Sequence, residues 1–291
     1  MSIAVLFLAR GIGGGVPAVS RFLQPYHRHP AGHTHQLYGL LKGWEGVEGK
    51  DIACAMLAGA GGRIVDLPDD GLDWGAYFRA AECVTEEWIC CFNTHSRIER
   101  EGWLALLLGG SEVSHVGAIG CTGSWGTIAP VAQFIWPIVR DVTANKGLLK
   151  GTIAAMGSWS MLPWQWMRSV KCFAGFPNPH LRSNAFLVRR TDLCAFAAGQ
   201  CFPRTKNDAF ALESGRNGLT RFLEARHRVT RVAGADGTFY SPEQWIDSRT
   251  FRVPGQENLI ISDNQTRNYE TLGRYERRIM ELSAWGRFFT P

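Results

Sequence analysis

The residue types able to do chemistry in this chain collect where short apolar runs stop. Trp88 to Phe92 is such a run, and it stops at Asn93, Thr94, His95 and Ser96. Polar groups at the end of a buried strand can hold a ligand in the crevice at the carboxyl edge of a sheet. The plainer alternative is a strand-to-helix turn with Ser96 or Thr94 as N-cap. Ile3 to Ala9 stops at Arg10, Gly11, Ile12, Gly13, Gly14 and Gly15. A strand entering a glycine-rich turn lets backbone N–H groups approach an anion such as phosphate. The spacing is neither G-x-G-x-x-G nor a P-loop, so a dinucleotide or Walker site is not indicated. Ile64 to Leu67 stops at Pro68, followed by Asp69, Asp70 and Asp73. Asp69 and Asp70 suit turn chemistry or a sugar or ribose hydroxyl. Asp73 suits the N-cap of the next helix.

Three further groupings offer weaker chemistry. His115 to Ile119 leads into a Gly/Ser/Thr turn holding Trp125, which reads as a plain turn or as a wall for a polar ring. His27, His29, His33 and His35 share one loop, but no acid or Cys stands near them, so a polar surface turn is favoured over a metal site. Cys90, Cys91 and His95 are close in sequence. The cysteines lie inside a strand, though, and no nucleophile elbow exists, which argues against a hydrolase. The eight cysteines include no C-x-x-C pair and no zinc spacing, as expected of a reduced interior.

Positioning these residues requires alternating elements. Strands are expected at Ile3–Ala9, Leu37–Leu41, Ile64–Leu67 and Trp88–Phe92, with helices from Val16, over Lys50–Ala58, Trp74–Cys83 and Glu99–Leu108. That alternation predicts a parallel sheet built by right-handed crossovers, its strand tips on one edge. Further strands are expected at His115–Ile119, Ala185–Val188, Arg228–Val232 and Asn258–Ile261. Helices are expected at Val131–Val142, at Thr191–Ala198 with Thr191 as cap, at Leu219–Ala225 and at Tyr269–Trp285. Lys150–Met167 is apolar and Trp-rich, which suits core packing, a flap or a peripheral membrane contact.

A hydrophobic content of 45% with 20% charged residues excludes a disordered chain. The net charge of +5 is spread without a Lys/Arg block, which fits a phosphate-bearing ligand better than nucleic acid. The amino terminus lacks a basic n-region, and no run approaches ~18 uncharged apolar residues. A cytoplasmic location follows as the expectation, with the inner face of the membrane as an option.

Three stretches, in order, carry a family resemblance: LFLARG; then DLPDDGLDWGAYFRAA, a strand and FNTHSRI; then NPHLRSNAFLVRR with KNDAFALESG. Together they resemble a GT-A glycosyltransferase of the family 2 type, of the kind associated with bacterial surface polysaccharide synthesis, over most of the chain. The resemblance implies an α/β, GT-A (nucleotide-diphospho-sugar transferase) fold with a mostly parallel central sheet flanked by helices. It implies one domain over residues 1–291, with a nucleotide-binding half at 1–120 and an acceptor-binding half at 121–291. The implied activity is inverting transfer of a sugar from a nucleotide-diphosphate donor to a hydroxyl of a glycan or lipid-linked acceptor.

By position in those stretches, Glu213 is the implied base and Asp208 its alternative. Arg10 and Gly11 fall near base and ribose, Asp69 at the nucleobase, and Asn93 and His95 beside the diphosphate. Arg182, Arg216 and His227 are candidate cations for the leaving group, and Trp125 and Asn184 candidate walls for a sugar. Asp263, Asn264 and Gln265 fall in the same cleft without an assigned role. One departure matters: the family's Asp-x-Asp reads Asn93-Thr94-His95 here. Asn and His are poor ligands for Mg2+ or Mn2+, so metal independence is favoured over a weak site through His95. The missing motif also keeps open a non-catalytic nucleotide-sugar-binding protein of the same fold.

Overall fold

The computed structural model describes residues 1–128 and 163–290, with residues 140, 143, 144 and 147 between them. Its main strands are β1 (Ile3–Arg10), β2 (Gln36–Lys42), β3 (Arg63–Leu67) and β4 (Trp88–Phe92). Two-residue β5 (Arg97–Ile98) precedes β6 (Val116–Gly120), and short β7 (Gly123–Ser124) and β8 (His180–Leu181) precede β9 (Ala185–Arg189). Last come β10 (Val229–Ala233), β11 (Phe239–Tyr240) and β12 (Ile261–Ser262). The helices are α1 (Gly15–Arg28), α2 (Lys50–Gly59), α3 (Leu72–Cys83), α4 (Trp103–Gly109) and α5 (Pro163–Cys172). They continue with α6 (Arg190–Ala198), α7 (Lys206–Ser214), α8 (Leu219–Glu224), α9 (Asn264–Thr271) and α10 (Arg274–Trp285).

Eight strands make one sheet in the order β11-β10-β6-β9-β4-β1-β2-β3. β1 pairs in parallel with β2 and β4, β2 with β3, and β6 with β10. The expected fold class, α/β with a mostly parallel sheet between helices, is the one observed. β1 reads as an unbroken apolar run because both of its faces are covered. Its even residues Ala4, Leu6 and Leu8 pack with α3 and Phe186; its odd residues Val5, Phe7 and Ala9 pack with α1. The Phe7 and Phe22 rings stack there with centroids 4.0 Å apart.

Several expected elements differ. β9 is antiparallel to both β4 and β6, so the second half does not simply extend the parallel alternation. The segment after β4 forms β5 before any helix, and α4 starts only at Trp103, because Gly102 takes the left-handed conformation at its N-cap. Neither Thr94 nor Ser96 caps it. β12 lies outside the main sheet, paired with β5. Asp73 is not an N-cap: Gly71, at φ 68°, holds that position and Asp73 is already helical. Thr191 is likewise inside its helix, one residue beyond its first, with Arg189 at the N-cap. The single helix expected over Tyr269–Trp285 is two, since Leu272 is extended and Gly273 caps α10. The helix expected at Val131–Val142 and most of Lys150–Met167 lie outside the described residues.

Candidate active site

The tips of β1, β2 and β3 are fastened to one another by backbone. Gly11 N–H donates to the Lys42 carbonyl at 2.9 Å and Ile12 N–H to that of Gly43 at 3.0 Å. The approach is close enough that a Cβ at Gly11 would stand 2.5 Å from the Gly43 oxygen. Gly43 itself sits at φ 63°, where a side chain would also meet the Asp69 carboxylate at 3.0 Å. Arg10 Nη2 faces Asp69 Oδ1 at 3.7 Å, and both side chains remain about one-third exposed, at 32% each. A cavity of about 290 Å³ opens beside them, walled by Trp44, Lys50, Asp66 and Asp69.

Lys42 and Asp73 form the centre of this edge; the sequence offers Asp73 only as an N-cap and gives Lys42 no role. Lys42 is 1% exposed and ends β2. Its Nζ donates to the Asp70 carbonyl at 2.5 Å and also to that of Leu72, which pins the loop ahead of α3. Burial lowers its pKa, against the opposing charges of Asp69 and Asp73. Burial raises the pKa of the Asp73 carboxyl; Lys42, Arg10 and His95 pull it down, and Glu213 adds to the rise. Asp73 therefore stands within electrostatic reach of groups from β1, β2, the β4 turn and α7. The first turn of α3 puts it there, because the glycine at 71 starts the helix early.

The β4 tip is held by its own polar residues. Asn93 Oδ1 accepts from His95 N–H at 2.9 Å and from Ser96 Oγ at 3.0 Å. Thr94 Oγ1 donates to the Leu8 carbonyl at 2.9 Å. Burial and Arg21 lower the His95 pKa, with Asp73 opposing. Arg267 donates to the His95 carbonyl at 2.9 Å. These bonds test the metal. A hard divalent cation needs several free oxygens. Here the Asn93 oxygen and the Thr94 hydroxyl are committed to the turn, and among the described residues no three His, Cys, Asp or Glu side chains form a metal-binding group. The β4 turn, among the described residues, does not supply the donor set of Mg2+ or Mn2+.

The second half joins at the same edge. The Asn184 carbonyl, just before β9, accepts from Asn93 N–H at 3.2 Å and Ser96 Oγ at 2.7 Å. The Asn184 side-chain oxygen accepts from Thr122 Oγ1 at 2.7 Å, and Thr122 accepts from Arg182 at 3.3 Å. Asn184 is thus a buried strut at 2% exposure rather than an open wall. Arg182 is paired with Asp263 at 2.7 Å, the two side chains 7% and 1% exposed. Asp263 also caps α9 by accepting from Thr266 N–H at 2.8 Å. Gln265 follows in the same helix and lines the neighbouring cavity, whereas Asn264 is exposed.

That cavity, about 420 Å³, is lined by His180, Arg182, Glu213, Phe251, Arg252 and Gln265 among others. Glu213 Oε2 accepts from Ser183 N–H at 2.9 Å and from the Ser183 hydroxyl. No hydrogen bond to Oε1 is present among the described residues. His180 Nδ1 faces the Asn178 carbonyl at 2.8 Å, so that nitrogen carries the proton. Burial lowers the His180 pKa, with Glu213 opposing. A folded imidazole with a depressed pKa binds fewer protons than the unfolded one below about pH 6.5. Stability is therefore expected to fall as pH drops through that value. Urea unfolding from pH 8 to 5 should show a shallower fall in His180→Asn; identical slopes would mean this imidazole titrates normally.

Other expected site residues lie elsewhere. Asp208 faces away from Glu213 and closes the α7 capping box, accepting from Thr205 N–H at 2.8 Å. Arg216 is exposed, donates to the Val170 carbonyl at 3.3 Å, and shares a separate cavity of about 790 Å³ with Asp208. His227 is exposed in the turn after α8, at φ 57°. Trp125 packs edge-on against Trp285 and donates to the Pro242 carbonyl at 2.8 Å, while its neighbours Ser124 and Gly126 line the cavity. Cys90 and Cys91 are 0% exposed, and burial pushes both thiols up, which removes them as nucleophiles. The expected histidine loop is shorter, since Tyr26 and His27 belong to α1; Tyr26 and His35 bond each other at 2.8 Å.

No family profile and no curated protein matches the chain. Among solved structures it is similar to glucosyl-3-phosphoglycerate synthase from Mycobacterium tuberculosis, in complex with Mn2+, UDP and phosphoglyceric acid. That likeness has 12% identity over 66% of this chain and 56% of that one, with a TM-score of 0.35. Another is 4-diphosphocytidyl-2C-methyl-D-erythritol synthase from Anaerococcus prevotii, at 10% identity over 84% and 93% of the two chains and a TM-score of 0.43. A mannosyltransferase from Pyrobaculum calidifontis, in complex with GDP-Man and Mn2+, gives 9%, 66%, 45% and 0.38. The chain thus spans about half the length of the first and third of these proteins.

Proposed function

We propose that this protein is a GT-A-type glycosyltransferase that moves a sugar from a nucleotide-diphosphate donor to an acceptor hydroxyl, with inversion and without a divalent metal. The observation that supports this most is the convergence of Arg10, Lys42, His95 and Glu213 around Asp73 at one edge of the sheet. Asp69, with Arg10 paired to it, lines a cavity suited to base and ribose. His95, whose pKa burial and Arg21 lower, and the nearby cations Arg21 and Arg267 face the region where a diphosphate would lie. In the reaction, the acceptor oxygen attacks the anomeric carbon and gives its proton to Glu213 Oε1. The bond from that carbon to the diphosphate oxygen breaks, and its electron pair leaves with the nucleoside diphosphate. Glu213 suits the base role better than Asp208, whose carboxylate is occupied by the helix cap. Glycan and lipid-linked acceptors of bacterial polysaccharide synthesis both remain within this proposal.

Incubation with a panel of nucleotide sugars tests it. Release of nucleoside diphosphate is expected from at least one donor. Asp69→Asn should weaken nucleoside diphosphate binding by about tenfold, the loss of one charge-assisted hydrogen bond. Tight binding with no turnover of any donor would favour the non-catalytic binding protein, and no binding at all would end both readings.

A further inference from the structure

Of the two arginines that line the cavity beside Glu213, one has no ion-pair partner. Arg182 is matched by Asp263 at 2.7 Å. Arg252 has no such match: among the described residues no carboxylate lies within ion-pair distance of it. Its Nη1 donates to Ser283 Oγ at 3.1 Å and its Nη2 to Gln265 Oε1 at 3.2 Å, both uncharged, and its Nε is buried without an acceptor. Both guanidinium groups lie over the ring of Phe251, Arg182 at 4.1 Å and Arg252 at 4.8 Å. Burial and the like charge of Arg182 draw the Arg252 pKa down to about 10, with the more distant Asp263 opposing. A largely desolvated cation without a direct ion pair is costly, and a guanidinium fork suits an oxyanion that relieves it.

We propose that this cavity selects an anionic acceptor, whose phosphate or carboxylate seats on Arg252 while its hydroxyl faces Glu213. The assignment rests on the glycosyltransferase reading for the role of Glu213, but the anion site itself stands on Arg252. The same oxyanion chemistry could come from the donor's own diphosphate, so the test separates the two sources. Inorganic phosphate is titrated calorimetrically into wild type and Arg252→Gln, each with and without the nucleoside diphosphate that binds best. The expected result is phosphate binding by wild type, at least tenfold weaker in Arg252→Gln and unaffected by the nucleotide. Wild-type crystals soaked in phosphate give a second measurement that does not depend on the variant's folding, with the anion expected at Arg252. Equal phosphate binding by the two proteins, no binding by wild type, loss of binding when the nucleotide is present, or an adventitious ion only at other positions overturns the proposal. Failure of the sugar-nucleotide reading appears separately, as absent nucleotide binding while the phosphate titration still reports on Arg252.

Discussion

Glu213→Gln should reduce nucleoside diphosphate release by about 10²–10⁴-fold, the range for removing a positioned general base. The amide keeps the size of the side chain and one oxygen able to accept from Ser183, so the local fold should survive. It cannot take a proton at the position where Glu213 Oε1 meets the cavity. Donor affinity should change little, because Asp69 lines a different cavity from Glu213. A loss in turnover with unchanged binding is therefore the signature. Turnover within tenfold of wild type would remove Glu213 from the reaction and turn attention to His180, whose unprotonated nitrogen shares the same cavity.

The second large effect concerns stability. Arg182→Leu should cost about 3–5 kcal/mol, because it leaves the Asp263 charge buried without its partner. Burial alone would push the Asp263 carboxyl up; Arg182 and the bonds from Thr266 overcome it and hold the pKa below the usual range. Its contribution is present above the unfolded carboxylate pKa and is lost as pH falls through the lower folded value. Adding Asp263→Asn to Arg182→Leu should recover much of the loss, since Asn still caps α9 and carries no charge. Urea unfolding of the two single variants and the double variant measures this cycle. A loss below about 1 kcal/mol in Arg182→Leu would show the pair to be screened like a surface ion pair.

β1, β2 and β4 were readable because a parallel strand buried on both faces is a nearly uninterrupted apolar run. β4 coincides with the expected Trp88–Phe92, and β1 to β3 extend their expected ranges by one or two residues. The direction of β9 was not readable, since AFLVR says that a strand is buried but not which way its neighbours run. Asp73 was misread because Asp is a good cap by type, while the glycine that does the capping lies two residues earlier. The separation of Asp208 from Glu213 was within reach of the sequence: five residues along a helix turn the side chains about 140° apart. Lys42 was out of reach. A lone polar residue at the end of an apolar run looks the same whether it meets solvent or a carbonyl from a distant loop.

The central slot taken by β9 has a cost during synthesis. β4 finds its second neighbour only when Ala185–Arg189 has been made, 93 positions after Phe92. At about 5–20 residues per second the ribosome needs roughly 5–19 s to reach it. Throughout that interval the nascent chain carries WICCF with one ladder edge open, the kind of segment to which other chains add. Translation stalled before residue 185 should therefore yield fragments that chaperones hold or proteases clear.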